Sequence, residues 1–290
     1  MTNEYYDALM ALKGADELKD IVKSIHFLDK TATSPSVKLL SIANMLWVIK
    51  NGGGVSTMIS LFSDYLSSVG LHEFIGEAKF IEFKLGYNSP DENFTELKRL
   101  YETIIKNTGH RYEYKGILCV NIDEWCDKTT ESYFLDFLEF IDFNHNKIKT
   151  IFTLHLHDKR NIENIEAVIS SRMRLETIII KFPEVSELLD FIIEKYIKPN
   201  GFSLSNDAQE LLFEHIKSRM SCSSFDGFKN IERLAEGILL CAMKSKKREK
   251  IISANILSSY CEKHLKNTKT LNRLCIQNPI GFSFHETKEQ

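Results

Sequence analysis

Alternating strands and helices over the first two-thirds of the chain, followed by helices alone, predict an α/β domain with a largely parallel sheet and a second, helical domain. Three observations carry this. Continuous apolar runs such as Met45-Leu46-Trp47-Val48-Ile49 suit strands covered on both faces. Between such runs, apolar residues return every three or four positions, the helical period. From Pro183 onward the segments are all helical in pattern.

The elements follow in order. Residues 3–28 read as helical through Tyr6, Leu9, Met10, Leu18, Ile21 and Val22, and 37–45 as a short helix after Pro35. The apolar run ending at Ile49 is the first strand. Asn51-Gly52-Gly53-Gly54 interrupts the chain, and Met58, Leu61, Phe62, Tyr65 and Leu66 mark a helix directly after it. Strands are expected at 79–85, 116–122, 148–156 and 175–181, with helices at 92–107, 130–143 and 163–174 between them. Helices are expected at 184–198, 206–219, 228–244 and 251–266, the second opened by a capping box of Asn206 and Gln209. The domain plan is N-terminal helices over 1–34, an α/β domain over 35–182, a helical domain over 183–268 and a tail over 269–290.

Composition narrows the function classes. The 290 residues are 43% hydrophobic and 27% charged, a balance that fills a core. A net charge of −3 argues against a nucleic-acid binder held by bulk electrostatics. The basic run Lys244, Lys246, Lys247, Arg248 and Lys250 reads as a solvated helix end. Six scattered cysteines form no CxxC pair, the first residues lack a signal-peptide pattern, and no apolar stretch reaches the ~18 residues of a membrane span. A cytoplasmic protein with free thiols is expected.

Strand, glycine loop and helix is the order in which phosphate-binding loops are built: backbone N–H groups and a helix N-terminus face the phosphates, a Lys counters their charge, and a Ser or Thr holds Mg²⁺. Here Gly52, Gly53 and Gly54 supply flexible backbone and Thr57 a hydroxyl, but Val55 stands where the last glycine belongs and Ser56 where the lysine belongs. An ordinary glycine-rich turn is the alternative. The run Ile117 to Ile122 delivers Asp123-Glu124 at a strand's carboxyl end, where ligands of α/β sheets bind. Asp123 could hold a Mg²⁺-bound water and Glu124 orient the attacking one; an acidic loop entry is the alternative. Ser170-Ser171-Arg172 precedes the last strand, and Arg172 is either a surface residue or one that reaches a neighbour's phosphates. His155 and His157 alternate on one strand beside Asp158, with His145 nearby, but no spacing places a third metal ligand. Cys119 points into the sheet and reads as core.

Taken as a series, these segments resemble the AAA+ family, in which a P-loop, a Walker B strand, a sensor 1 strand, an arginine finger and a helical lid with a basic sensor 2 residue follow one another. The resemblance covers about residues 35–268. It implies a P-loop NTPase-like αβα sandwich with a C-terminal helical lid. Thr57 and Asp123 would be the Mg²⁺ ligands; Asp123, Glu124 and Arg172 the catalytic set; and Gly52, Gly53, Gly54, Ser56, Thr57, His155 and Lys229 the nucleotide contacts. His155 occupies the approximate sensor 1 position, where Asn or Thr is usual, with Thr153 two residues earlier on the same face. Lys229, in Asp226-Gly227-Phe228-Lys229, stands where the lid usually offers Arg.

The departures at Val55 and Ser56 imply weak or absent binding of ATP or ADP with Mg²⁺, and no ordinary hydrolysis. The expected function is that of a degenerate AAA+ protein, a structural or regulatory pseudo-ATPase subunit assembling with AAA+ partners or with itself around a protein substrate. An active protein-remodelling ATPase, with Lys50 or Lys229 replacing the lost lysine, is the rival expectation; a DNA-associated switch domain is a third. Membrane and nucleic-acid partners are not expected.

Overall fold

The computed structural model describes residues 3–31, 42–50, 52–72, 74, 78–107, 116–144, 148–155, 159–222, 225–244 and 250–260, with side chains omitted at 104–107. The chain divides into two compact units, Met1–Pro183 and Glu184–Gln290.

The first unit is built on five parallel strands in the order β2-β3-β4-β1-β5: β1 (Asn44–Ile49), β2 (Ile81–Lys84), β3 (Gly116–Asn121), β4 (Ile148–Leu154) and β5 (Leu175–Ile180). Each crossover carries a helix: α3 (Val55–Ser68), α4 (Pro90–Asn107), α5 (Ser132–Phe143) and α6 (Lys159–Ser170). Side chains alternate across a strand, so each continuous apolar run serves two cores. Met45, Trp47 and Ile49 of β1 join Cys119 and Ile151 under α3 and the two N-terminal helices. Leu46 and Val48 face the other way, with Val120 and Phe152, onto Tyr101 of α4, Phe134 and Phe137 of α5 and Ile165 of α6. The sheet is thereby sandwiched between two helical layers, and all six residues of β1 are buried.

The N-terminal segment forms two helices, α1 (Glu4–Met10) and α2 (Asp16–Thr31). Asn3 caps the first by accepting from the Tyr5 and Tyr6 N–H groups. The break is fixed by Gly14, whose φ of 71° is left-handed and whose carbonyl accepts from the Lys181 N–H at 3.0 Å; a Cβ there would meet the Lys181 carbonyl oxygen at 2.2 Å. The short helix expected over 37–45 does not include Asn44 and Met45, which belong to β1, and residues 32–41 lie outside the described residues.

In the second unit, α7 (Val185–Ile192) opens with a capping box of Glu184 and Glu187 and continues into a π-helical turn over Ile193–Ile197. Next come β6 (Ser203–Leu204), α8 (Asn206–Met220), α9 (Gly227–Lys244), β7 (Ile251–Ile252) and a helix over 254–260. Two expectations are corrected. The cap of α8 is Ser205, one residue before Asn206, with its hydroxyl accepting from the Ala208 N–H at 3.3 Å. Residues 251–252 are extended and pair in parallel with β6 instead of beginning a helix. A two-residue strand is too short to show a period in the sequence. The tail over 269–290 and the basic residues Lys246 to Arg248 lie outside the described residues.

Candidate functional site

The carboxyl ends of β1, β3 and β4 come together because β4 lies between the other two in the sheet. They open onto a cleft of about 540 Å³ lined by Val55 and Ser56 at the start of α3, by residues 82–84 of β2, and by Cys119, Asn121, Asp123, Thr153 and His155.

The β1 exit is a tight backbone turn. The Gly53 N–H donates to the Lys50 carbonyl at 2.9 Å, and a Cβ on Gly53 would come within 2.7 Å of the Ile49 side chain. Gly54 caps α3 in a left-handed conformation, φ 83°, without a side-chain cap; Gly52 shares that region, φ 75°. The first turn of α3 thus has uncapped N–H groups beside the cleft. Ser56 faces β2 and donates its hydroxyl hydrogen to Glu82 Oε1 at 3.0 Å. Thr57 is exposed and lies outside the cleft lining. Lys50 extends over the Phe182 ring, 5.8 Å from its centroid.

The β3 exit is organised by side chains. Asp123 accepts from the His155 N–H at 2.6 Å through Oδ1; at Oδ2 it meets His155 Nδ1 at 2.9 Å and the Asn121 amide at 2.8 Å. A carboxylate is the strongest acceptor present, which assigns the imidazole proton to Nδ1. The 3.0 Å between Asn121 Nδ2 and His155 Nδ1 is then a contact of two donors that share one oxygen. Burial pushes the Asp123 carboxyl up, but the bonds from His155 and Asn121 outweigh it and hold the group below its ordinary 3.8. It is a fixed anion at the cleft wall.

Glu124, the next residue, goes elsewhere. A 3₁₀ turn over Asp123–Trp125 swings it out of the lining, where Oε1 pairs with Lys84 at 2.6 Å and Oε2 accepts from the Tyr87 N–H at 2.8 Å. The Lys84 bond, then the Tyr87 bond, hold its carboxyl below the ordinary 4.5. Trp125 turns inward: its indole N–H donates to the Leu85 carbonyl at 2.9 Å and its ring stacks on Phe134. Burial first, and the Glu82 charge second, push the Cys119 thiol up to about 12, so it stays protonated at neutral pH.

Of the residues singled out from sequence, Val55, Ser56, Cys119, Asp123, Thr153 and His155 line the cleft, and Gly52, Gly53 and Gly54 form the turn at its edge. Arg172 does not join them. It precedes β5, at the amino end of the sheet, and pairs with Glu139 at 2.7 Å. Lys229 is exposed in the first turn of α9, in the second unit. His145, His157 and Asp158 lie outside the described residues. Among the described residues no cluster of three or more His, Cys, Asp or Glu is placed to hold a metal, and no helix is long and apolar enough to cross a membrane.

Glu82 and Lys84 were not identified from sequence. Their signal is the alternation Ile81-Glu82-Phe83-Lys84-Leu85, which puts both on one face of β2, but only the sheet order shows that this face meets α3 and Glu124.

These residues do not fit a Mg²⁺-triphosphate. Among the described lining residues Lys84 is the one Lys or Arg, and Glu124 already pairs with it; Glu82 and Asp123 add two carboxylates.

No protein-family model matches the sequence, and no curated protein matches it. Solved structures do. C. elegans PCH-2 aligns over 90% of this chain and 72% of its own, at 11% identity and a TM-score of 0.50. The Aeropyrum pernix Orc1 protein in complex with DNA aligns over 82% of this chain at 16% identity and a TM-score of 0.46. A Thermotoga maritima RuvB mutant aligns over 83% of this chain and 68% of its own, at 10% identity and a TM-score of 0.47. The chain spans 64% of the length of the Orc1 protein. The PCH-2 likeness speaks to fold alone: this chain has a P-loop NTPase-like α/β fold, five parallel strands between helical layers, matching that of PCH-2.

Proposed function

We propose that this chain is a degenerate AAA+ protein, a structural or regulatory subunit that does not turn over ATP itself. One observation carries the proposal: the residue in the lysine position, Ser56, is hydrogen-bonded to the Glu82 carboxylate, so the cleft offers an anion where a triphosphate needs a cation. The diversion of Glu124 into a pair with Lys84 adds to it, because no residue in the Walker B position is then free to polarise water.

In this proposal the helical segment over 183–268 serves as the lid, and Lys229 is its retained cation. The chain acts by assembling with AAA+ partner subunits or with further copies of itself around a protein substrate. Arg172, at the sheet end opposite the cleft, serves a neighbour's nucleotide, with Glu139 holding its guanidinium until that neighbour docks.

Calorimetry with MgATP beside a hydrolysis assay on the purified chain tests the proposal. The expected result is no turnover. ATP hydrolysis by the wild-type chain that Glu124→Gln abolishes would establish the active-ATPase reading instead.

A further inference from the structure

The Ser56–Glu82 contact joins residues 26 positions apart, and both residues line the cleft. Glu82 is on β2, opposite Cys119 in the β2–β3 register, and Cys119 lines the same cleft. Its charge reaches that far: burial first, and the Glu82 charge second, push the Cys119 thiol up. On the other side its oxygen is fixed by Ser56, in the first turn of a 14-residue helix that has no side-chain cap. A carboxylate in this place faces the positive end of the α3 dipole. It also repels a second anion that approaches the amino end of α3, because like charges a few ångströms apart disfavour one another.

We propose that Glu82 is the specificity-determining residue of the cleft: its carboxylate takes the place beside the amino end of α3 that a phosphate group would take, and so excludes phosphate-bearing ligands. This rests on the pseudo-ATPase reading and adds its cause. Loss of the lysine removes an attraction, whereas Glu82 supplies a repulsion that acts even on the diphosphate of ADP. Asp123 adds a second negative charge to the cleft but is committed to His155 and Asn121. Glu82 is therefore the carboxylate whose neutralisation changes selectivity without dismantling the network.

The test compares the full-length wild type with Glu82→Gln and Ser56→Ala, using MgADP and MgATP as probes in calorimetry and thermal-shift assays. Glu82→Gln keeps an acceptor for the Ser56 hydroxyl and removes the charge. Glu82 and Ser56 are both exposed, so both variants are expected to keep the wild-type circular dichroism and melting temperature. The expected result is an affinity for MgADP at least about tenfold higher in Glu82→Gln than in wild type, with Ser56→Ala no tighter than wild type. A folded Glu82→Gln that binds MgADP no better than a non-binding wild type overturns the role of Glu82 and leaves the pseudo-ATPase reading standing. Tight MgATP binding with turnover by the wild type overturns both.

Discussion

The two strand exits that wall the cleft are built by opposite means. At the β1 exit, geometry belongs to the backbone: a turn closed by the Gly53 N–H, a left-handed Gly54, and one exposed side-chain bond from Ser56 to Glu82. At the β3 exit it belongs to side chains: Asp123 is held at three points by His155 and Asn121 in a half-buried setting. A backbone turn constrains what may replace a glycine but says little about the residues beside it, so Val55 and Ser56 are tolerated there. A satisfied polar network constrains every member, because removing one leaves its partners unpaired.

This contrast is sharpest in stability. Asp123→Ala would leave the His155 N–H and ring and the Asn121 amide without their shared acceptor, and should cost about 1–3 kcal/mol. Ser56→Ala, on the exposed contact, should cost no more than about 0.5 kcal/mol. Urea denaturation of the two variants measures both, and equal losses would erase the distinction between the exits.

The pH dependence should divide the same way. The folded-state pKa of Asp123 is depressed, so its contribution to stability is complete above its ordinary 3.8 and is lost as pH falls through the lower, folded value. Asp123→Asn should therefore flatten the acid limb of the stability curve in that window, while Ser56→Ala should leave it as in wild type. Melting temperatures across the acid range report the difference.

The smallest effect concerns the residue next to the network. In Lys84→Met the Glu124 carboxyl loses the partner that contributes most to its depression, so its pKa should rise toward the ordinary 4.5 while the melting temperature stays that of wild type. A carboxylate NMR titration reads this directly; an unmoved Glu124 would assign the depression to the Tyr87 N–H.

The α/β class was legible in the chain because strands buried on both faces must be continuously apolar, as Met45 to Ile49 and Ile117 to Val120 are, and because Phe134, Phe137, Leu138 and Ile141 repeat at the helical period. The carboxylate at the β3 exit was legible for the same reason, since an apolar strand that ends in Asp123 delivers it to the sheet's ligand-binding edge. The position of the break between the N-terminal helices was not, because Gly14 is fixed by a close approach to Lys181, far along the chain. Nor was the direction of Glu124: adjacent carboxylates look alike in a sequence, and the 3₁₀ turn sends one to His155 and the other to Lys84.

Local pattern thus determined which segments are strands and helices, since periodicity and burial on both faces are properties of neighbouring residues. Tertiary structure alone decided the order β2-β3-β4-β1-β5, and with it the meetings of Ser56 with Glu82, Asp123 with His155 and Glu124 with Lys84. Each of those contacts joins residues on different elements, and whether a cleft attracts or repels a phosphate depends on charges that only the assembled sheet brings within a few ångströms of one another.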